Sequence, residues 1–225
     1  MKWEEEELLS IRERAYIYLK DLILGGEYKP GDRLIEREVA SKLNISRTPI
    51  REALFRLESQ GFVKTVPRKG VIVSNISEEE VIEVFTILSS LEVLAAKLAA
   101  QKMDDDIQQE FNDKIEKLEA LEKGEAEGID TEHIEMNLLL YKAAKSPKLF
   151  QILSGLTDYI QMSASMGYET PGRRKESLKE HIQIMKAVRD KEADMAEFLT
   201  KIHIENSKKA YIHFIEKQKE KVKKK

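Results

Sequence analysis

Arg47 and Arg51 lie four residues apart in the run Ser46-Arg47-Thr48-Pro49-Ile50-Arg51-Glu52-Ala53-Leu54. On a helix that spacing is one turn, so the two guanidinium groups leave in neighbouring directions. A guanidinium presents a planar fork of donors that fits guanine O6 and N7, or a phosphate. Ser46 and Thr48 fall at the start of the same helix, where free N–H groups favour a phosphate. Either can cap that helix, and Pro49 is tolerated in its first turn. Arg37, on the preceding amphipathic segment, can reach a backbone. Arg68, Lys69 and Gly70 sit at a hairpin tip, where glycine lets the main chain approach a minor groove. This is chemistry suited to duplex DNA, with phosphate contacts setting affinity and base contacts setting sequence preference. Any one of these residues is equally well a solvated surface group, but the set in this order is not explained that way.

A second set is histidine. The chain has four, His133, His181, His203 and His213, and no cysteine. His181 and His203 flank a tight turn around Asp190 to Glu192. Each is about ten residues from it, so at ~1.5 Å per residue they stand level on a helical hairpin. His181 falls among Leu178, Ile182, Met185 and Val188, and His203 is in line with Ala196, Leu199 and Ala210. His133 and Asn137 are one turn apart on another helix, on a face continued by Leu140, Tyr141 and Ala144. Such a pair, with one ligand from each of two facing helices, is a common way to build a metal site in a bundle. Spacing alone leaves two readings open, hydrogen-bonded core residues or metal ligands. His213 lies about 80° around the helix from His203 and reads as a surface residue.

The elements that position both sets are legible as patterns. Leu8 to Leu24 has helical periodicity, with Ile11, Ala15, Tyr18, Leu19, Leu22 and Ile23 apolar, and Gly25-Gly26 stops it. Pro30-Gly31 makes a turn. Glu36 to Leu43 is a short helix with Val39, Ala40 and Leu43 inward. The next helix buries Ile50, Ala53, Leu54 and Leu57 and ends at Gly61. Phe62 to Val66 and Val71 to Ser74 alternate as strands joined by Pro67-Arg68-Lys69-Gly70. Helix, helix, helix and hairpin make a winged helix-turn-helix. Beyond Ser77 the pattern is helical throughout, at about 78–101, 105–123, 131–145, 147–166, 173–190 and 192–217, with breakers at Gly124 and Gly128, Ser146-Pro147 and Pro171-Gly172. The fold class is therefore mainly α, an N-terminal winged helix-turn-helix followed by an antiparallel all-α bundle. The expected division is 1–74 for DNA binding, a linker at 75–78, a helical domain for effector, metal and dimerisation at 79–217, and a basic tail at 218–225.

Bulk properties agree. The 225 residues are 41% hydrophobic and 35% charged, which suits a globular chain of one large or two small domains. The net charge of −3 conceals an asymmetry. From Arg33 to Lys69 there are nine Lys and Arg against four Asp and Glu, a local +5, so the remainder carries −8. A basic module on an acidic body suits a DNA binder with a separate domain. The absence of cysteine excludes disulfides and thiolate metal sites and points to a cytoplasmic setting. The acidic start Trp3-Glu4-Glu5-Glu6-Glu7 lacks the apolar segment of a signal peptide, and no apolar run is long enough to cross a membrane. Six lysines between Lys217 and Lys225 read as a solvated, frayed helix end.

Residues 15 to 74 resemble the DNA-binding domain of GntR-type bacterial repressors. The resemblance rests on Pro30-Gly31-Asp32-Arg33-Leu34, on the Ser46 to Leu54 run and on the Gly61 to Gly70 wing. It implies that Arg37, Arg47, Arg51 and Gly70 occupy DNA-contacting positions. Residues 78 to 215 resemble the all-helical ligand-binding domain of the FadR subgroup, in its shorter six-helix form. That domain often holds a divalent metal through an Asp, a His one turn later and two further histidines. Asn137 with Ser146-Pro147 nine residues on, Glu180-His181, and His203 after 22 residues match its spacing. The chain departs at the first pair, with His133 where the family has Asp and Asn137 where it has His.

Three imidazoles and an amide carry no negative charge, so a bound ion keeps its full +2. Imidazole-rich sites prefer zinc or nickel to magnesium or calcium. An uncompensated dication attracts an anion, and a small carboxylate is the expected effector. Related domains often place an arginine for an acidic effector where this chain has Leu88, with Glu92 one turn on, so effector identity is loosely constrained. The expected function is a repressor that binds double-stranded operator DNA as a homodimer and responds to metal or metabolite. Two alternatives stand, a purely structural metal and a metal-dependent hydrolase. Against the hydrolase, Glu132 and Glu180 are expected to face solvent, which leaves no general base.

Overall fold

The structure is a computed structural model describing residues 9–24, 26–74, 77–124 and 129–223. The expected helix start at Leu8, the Gly25 stop, the linker residues Asn75 and Ile76, the Gly128 breaker and the last two tail lysines lie outside them. The chain divides into two compact units between Ser77 and Glu78.

The first unit runs α1 (Ile11–Leu24), β1 (Arg33–Leu34), α2 (Glu36–Leu43), α3 (Arg47–Ser59), β2 (Val63–Val66) and β3 (Gly70–Val73). α1 packs on α3 through Ala15, Leu19, Ile50, Ala53 and Leu57, all essentially inaccessible. The buried stripe of α1 is turned slightly from the expected one. Tyr16 is inside and donates its hydroxyl to Gln60 at 2.8 Å, while Ile11 is exposed and Tyr18 half-buried. The α2–α3 turn is set by Asn44, whose φ of 54° lies in the left-handed region that asparagine tolerates. Ser46 occupies the N-cap position of α3 but makes no side-chain capping bond.

The sheet has three strands in the order β1-β3-β2, all antiparallel. β1 is an addition to the expected hairpin. Two residues are too few to show an alternating pattern, yet Arg33 and Leu34 pair with Ile72 and Val71 and tie the entry to α2 into the wing. At the tip, Gly70 has a φ of 82°, and a β-carbon there would meet the Arg33 guanidinium at 3.4 Å.

The second unit contains α4 (Glu78–Gln101), α5 (Asp105–Lys123), α6 (Ile129–Ala143), α7 (Pro147–Gly167), α8 (Arg173–Arg189) and α9 (Ala193–Lys223). These helices fall within a few residues of those read from periodicity, except that α9 continues six residues beyond the expected 217. Its extension carries Lys219, which pairs with Glu78 in the first turn of α4. Asp104 caps α5 by accepting from the Ile107 N–H at 3.0 Å. The core includes Ala95, Ala96 and Ala99 of α4, Phe111 of α5, Tyr141 of α6, and Leu178 and Met185 of α8. Small residues on α4 let the helices around it approach closely. No helix among the described residues is long and apolar enough to cross a membrane.

Leu57→Ala removes a fully buried side chain beneath α3. It should lower the stability of the first unit by ~2–5 kcal/mol, read by urea denaturation. Stability within about 0.5 kcal/mol of wild type would contradict the packing.

Candidate nucleic-acid interface and metal centre

On the first unit, Arg37, Ser46, Arg47, Thr48, Arg51, Arg68 and Lys69 are all exposed, and Gly70 is half-buried. Pro49 corrects the expected set, because it is buried under the first turn of α3 and offers no surface to DNA. The cations differ in their surroundings. Arg37 and Arg47 have no ion pair among the described residues, whereas Arg51 is held by Glu36. Its Nε donates to Oε1 at 3.2 Å and an Nη to Oε2 at 2.9 Å. Arg33, Arg51, Phe55, Thr65 and Gly70 line one hollow of about 430 Å³ between α3 and the wing. Phe55 is 73% exposed there, one turn beyond Arg51.

In the second unit α6, α8 and α9 bring His133, His181 and His203 together, with one ring nitrogen of each within 4.8 Å of the others. His181 Nε2 and His203 Nε2 are 3.0 Å apart, so the prediction that they stand level holds. The His133 ring lies 4.5 Å from that of His181 and 6.2 Å from that of His203. All three are buried. Burial pushes the His133 imidazole down to about 3 and holds His181 and His203 below the ordinary value as well, so all are neutral near pH 7. Neutral imidazole is the form that binds metal.

Glu180 is where the sequence expectation fails. It does not face solvent. It accepts two bonds from Arg173 at 2.8 and 2.7 Å, one from the Asn206 amide at 2.7 Å, and one from His203 Nδ1 at 2.7 Å. Burial pushes its carboxyl up, but these donors outweigh burial and bring it down to about 2. A carboxylate can only accept, so His203 donates from Nδ1 and turns the Nε2 lone pair into the cluster. This is how an outer partner fixes the tautomer of a metal-binding histidine. Arg173 also reaches Ser207 at 3.0 Å. Tyr168 lies between His133 Nδ1, at 3.5 Å, and Ser177, at 3.1 Å. Glu132 is likewise buried, paired with Lys114 at 2.9 Å and Lys117 at 2.5 Å. These two lysines outweigh burial and hold its carboxyl low.

Two independent sites on two units, one basic and exposed, one imidazole-rich and buried, can be compared with known proteins. Residues 11–73 match the profile described as bacterial regulatory proteins, gntR family, and residues 83–206 match that of the FCD domain. The HTH-type transcriptional regulator YdhC of Bacillus subtilis is 30% identical over 210 residues, covering 91% of this chain and 92% of YdhC. The chain belongs to the GntR family. The Escherichia coli repressor RspR is 23% identical over 197 residues, 87% of this chain and 86% of its own. The solved structure of E. coli McbR/YncC superposes with a TM-score of 0.71 at 25% identity, covering 88% of this chain and 94% of that one. The GntR family and its named relatives are DNA-binding transcription regulators, so the hydrolase alternative falls.

Within the FCD region of this GntR-family chain, Asn137 is buried one turn along α6 from His133. His213 is exposed and apart from the cluster. Beside His133 and His203 lies a cavity of about 20 Å³, walled by Phe85, Leu88, Ile160 and Ile204, with Glu92 and Ser207 as further polar lining. That is room for about one water. Burial pushes the Glu92 carboxyl up to about 7, while the hydrogen bond donated by the Tyr141 hydroxyl opposes the rise.

Because the folded chain holds His133, His181 and His203 below the ordinary imidazole value, the unfolded chain takes up protons there that the folded one refuses. For the metal-free protein, the contribution of these imidazoles to stability is therefore full above about pH 6.5 and is lost as pH drops towards 3, where His133 itself titrates. Melting temperature measured from pH 7 to pH 4.5 should fall less steeply in His133→Gln than in wild type. Equal slopes would mean that His133 is not a neutral buried group.

Proposed function

We propose that this chain is a transcriptional repressor that reads a palindromic operator as a homodimer, and that its helical domain binds a divalent transition metal together with a small carboxylate effector. Arg37, Arg47 and Arg51, with Ser46 and Thr48 at the start of α3 and Arg68, Lys69 and Gly70 on the wing, form the DNA-facing set. RspR carries the name of repressor, which supports the direction of control. Dimerisation follows from the need to read two half-sites. An exposed apolar stripe of Met195, Phe198 and Ile202 along α9 supports a second copy as the partner.

The observation that carries the metal is the convergence of three neutral imidazoles within 4.8 Å. FCD domains hold metals in some members. His133, His181 and His203 would hold the ion through ring nitrogens, with the Asn137 amide oxygen as a fourth donor. Zinc or nickel fits this donor set best. Glu180 lies next to it, but Arg173 balances its charge. The ion thus keeps its +2, which favours an anionic ligand. An effector larger than water must widen the cavity, so its binding favours one arrangement of the bundle over another, and that difference is what can alter DNA affinity.

Elemental analysis of untagged protein should find about one zinc or nickel per chain, lost in His181→Ala and His203→Ala. No metal in wild type, even after reloading, returns the histidines to the core. A second reading, a metal that only stabilises the bundle, is favoured by the small size of the cavity. It predicts that a chelator lowers the melting temperature without changing operator affinity, and that carboxylates change neither metal nor DNA binding.

A further inference from the structure

Arg51 differs from Arg47 in one respect, its pairing with Glu36. Both are exposed, both lie in the first turns of α3, and they are one turn apart. The Glu36 carboxylate meets the guanidinium from the side, at Nε and one Nη. That engages one edge of the planar fork. The other edge, the second Nη with the remaining hydrogen of the first, meets no described residue. Two parallel donors on one edge are what a bidentate contact to guanine O6 and N7 requires.

Glu36 is itself well placed to hold still. It is the first residue of α2, where the helix dipole favours a negative charge, and its side chain is only 28% exposed against 69% for Arg51. Its position has a cost. A carboxylate on the surface offered to DNA is repelled by phosphate and lowers affinity for any sequence. An arginine meant only for phosphate gains nothing from such a neighbour. One meant to read a base gains orientation, because a long side chain loses its rotamer freedom before binding instead of during it.

We propose that Glu36 is a specificity-determining residue, whose carboxylate holds the Arg51 guanidinium side-on and aims its free edge at a single guanine. This rests on the reading above that Arg51 contacts DNA. Glu36 touches no base and acts through Arg51, so it is a positioning residue.

The test uses the full chain. An operator is selected with wild-type protein from a randomised duplex pool. Binding is then measured to that duplex, to copies with each guanine replaced in turn, and to an unrelated duplex. Arg51→Ala should abolish preference at one base pair per half-site. Glu36→Gln and Glu36→Ala should reduce preference at that same base pair by about tenfold, within the range one bidentate contact supplies. Preference elsewhere should be unchanged, and binding to the unrelated duplex equal or tighter. If Arg51→Ala leaves every preference intact, the reading of Arg51 as a base reader fails and the proposal falls with it. If Arg51→Ala removes a preference that both Glu36 variants keep, the proposal alone is overturned. Uniform weakening at all positions with a lower melting temperature would make Glu36 merely structural. Tighter operator binding with unchanged preference would make it a competitor for Arg51.

Discussion

A carboxylate inside a helical bundle must be fully satisfied or it will not stay charged, and the Glu180 side chain meets that demand with four donors. Arg173 supplies two, Asn206 one and His203 one. These partners come from the start of α8 and from the middle of α9, so the requirement fixes the register of the two helices against each other. Register in turn decides that His181 and His203 meet at 3.0 Å and do not slide past. The tautomer of His203 and the balance of charge around the cluster follow from the same set of bonds.

The two units solve opposite problems with similar parts. In the first, arginines are left in water, where their charge attracts phosphate at little desolvation cost. In the second, Arg173, the one buried arginine among the described residues, is bound by Glu180 and Ser207. Burial likewise makes the imidazoles neutral and keeps their lone pairs free. Exposure suits recognition of a polyanion, and burial suits coordination.

Much of this was readable from the residues, and what was not has identifiable causes. The helices of the second unit follow from 3.6-residue periodicity and strong breakers such as Ser146-Pro147 and Pro171-Gly172. The level of His181 with His203 follows from equal distances to a tight turn. Glu180 was misjudged because it flanks the buried stripe of α8, where single-helix periodicity assigns glutamate to water. A signal was present in Arg173, seven residues earlier and thus on the same side, and in Asn206, one turn beyond His203. β1 escaped notice because two residues carry no period. Pro49 reads equally as a helix-start residue or a surface one, and only its burial in the folded unit decides. The Glu36–Arg51 pair joins two helices across a turn, and sequence spacing says nothing about such a contact.

The three imidazoles come from positions spread over seventy residues, the last of them on the final helix. During synthesis His133 and His181 emerge well before His203 and its partner Asn206. No cluster of three imidazoles can exist until α9 has docked against α8. The cluster is therefore among the last features of this domain to form, and its presence marks a bundle in which α8 and α9 have already docked.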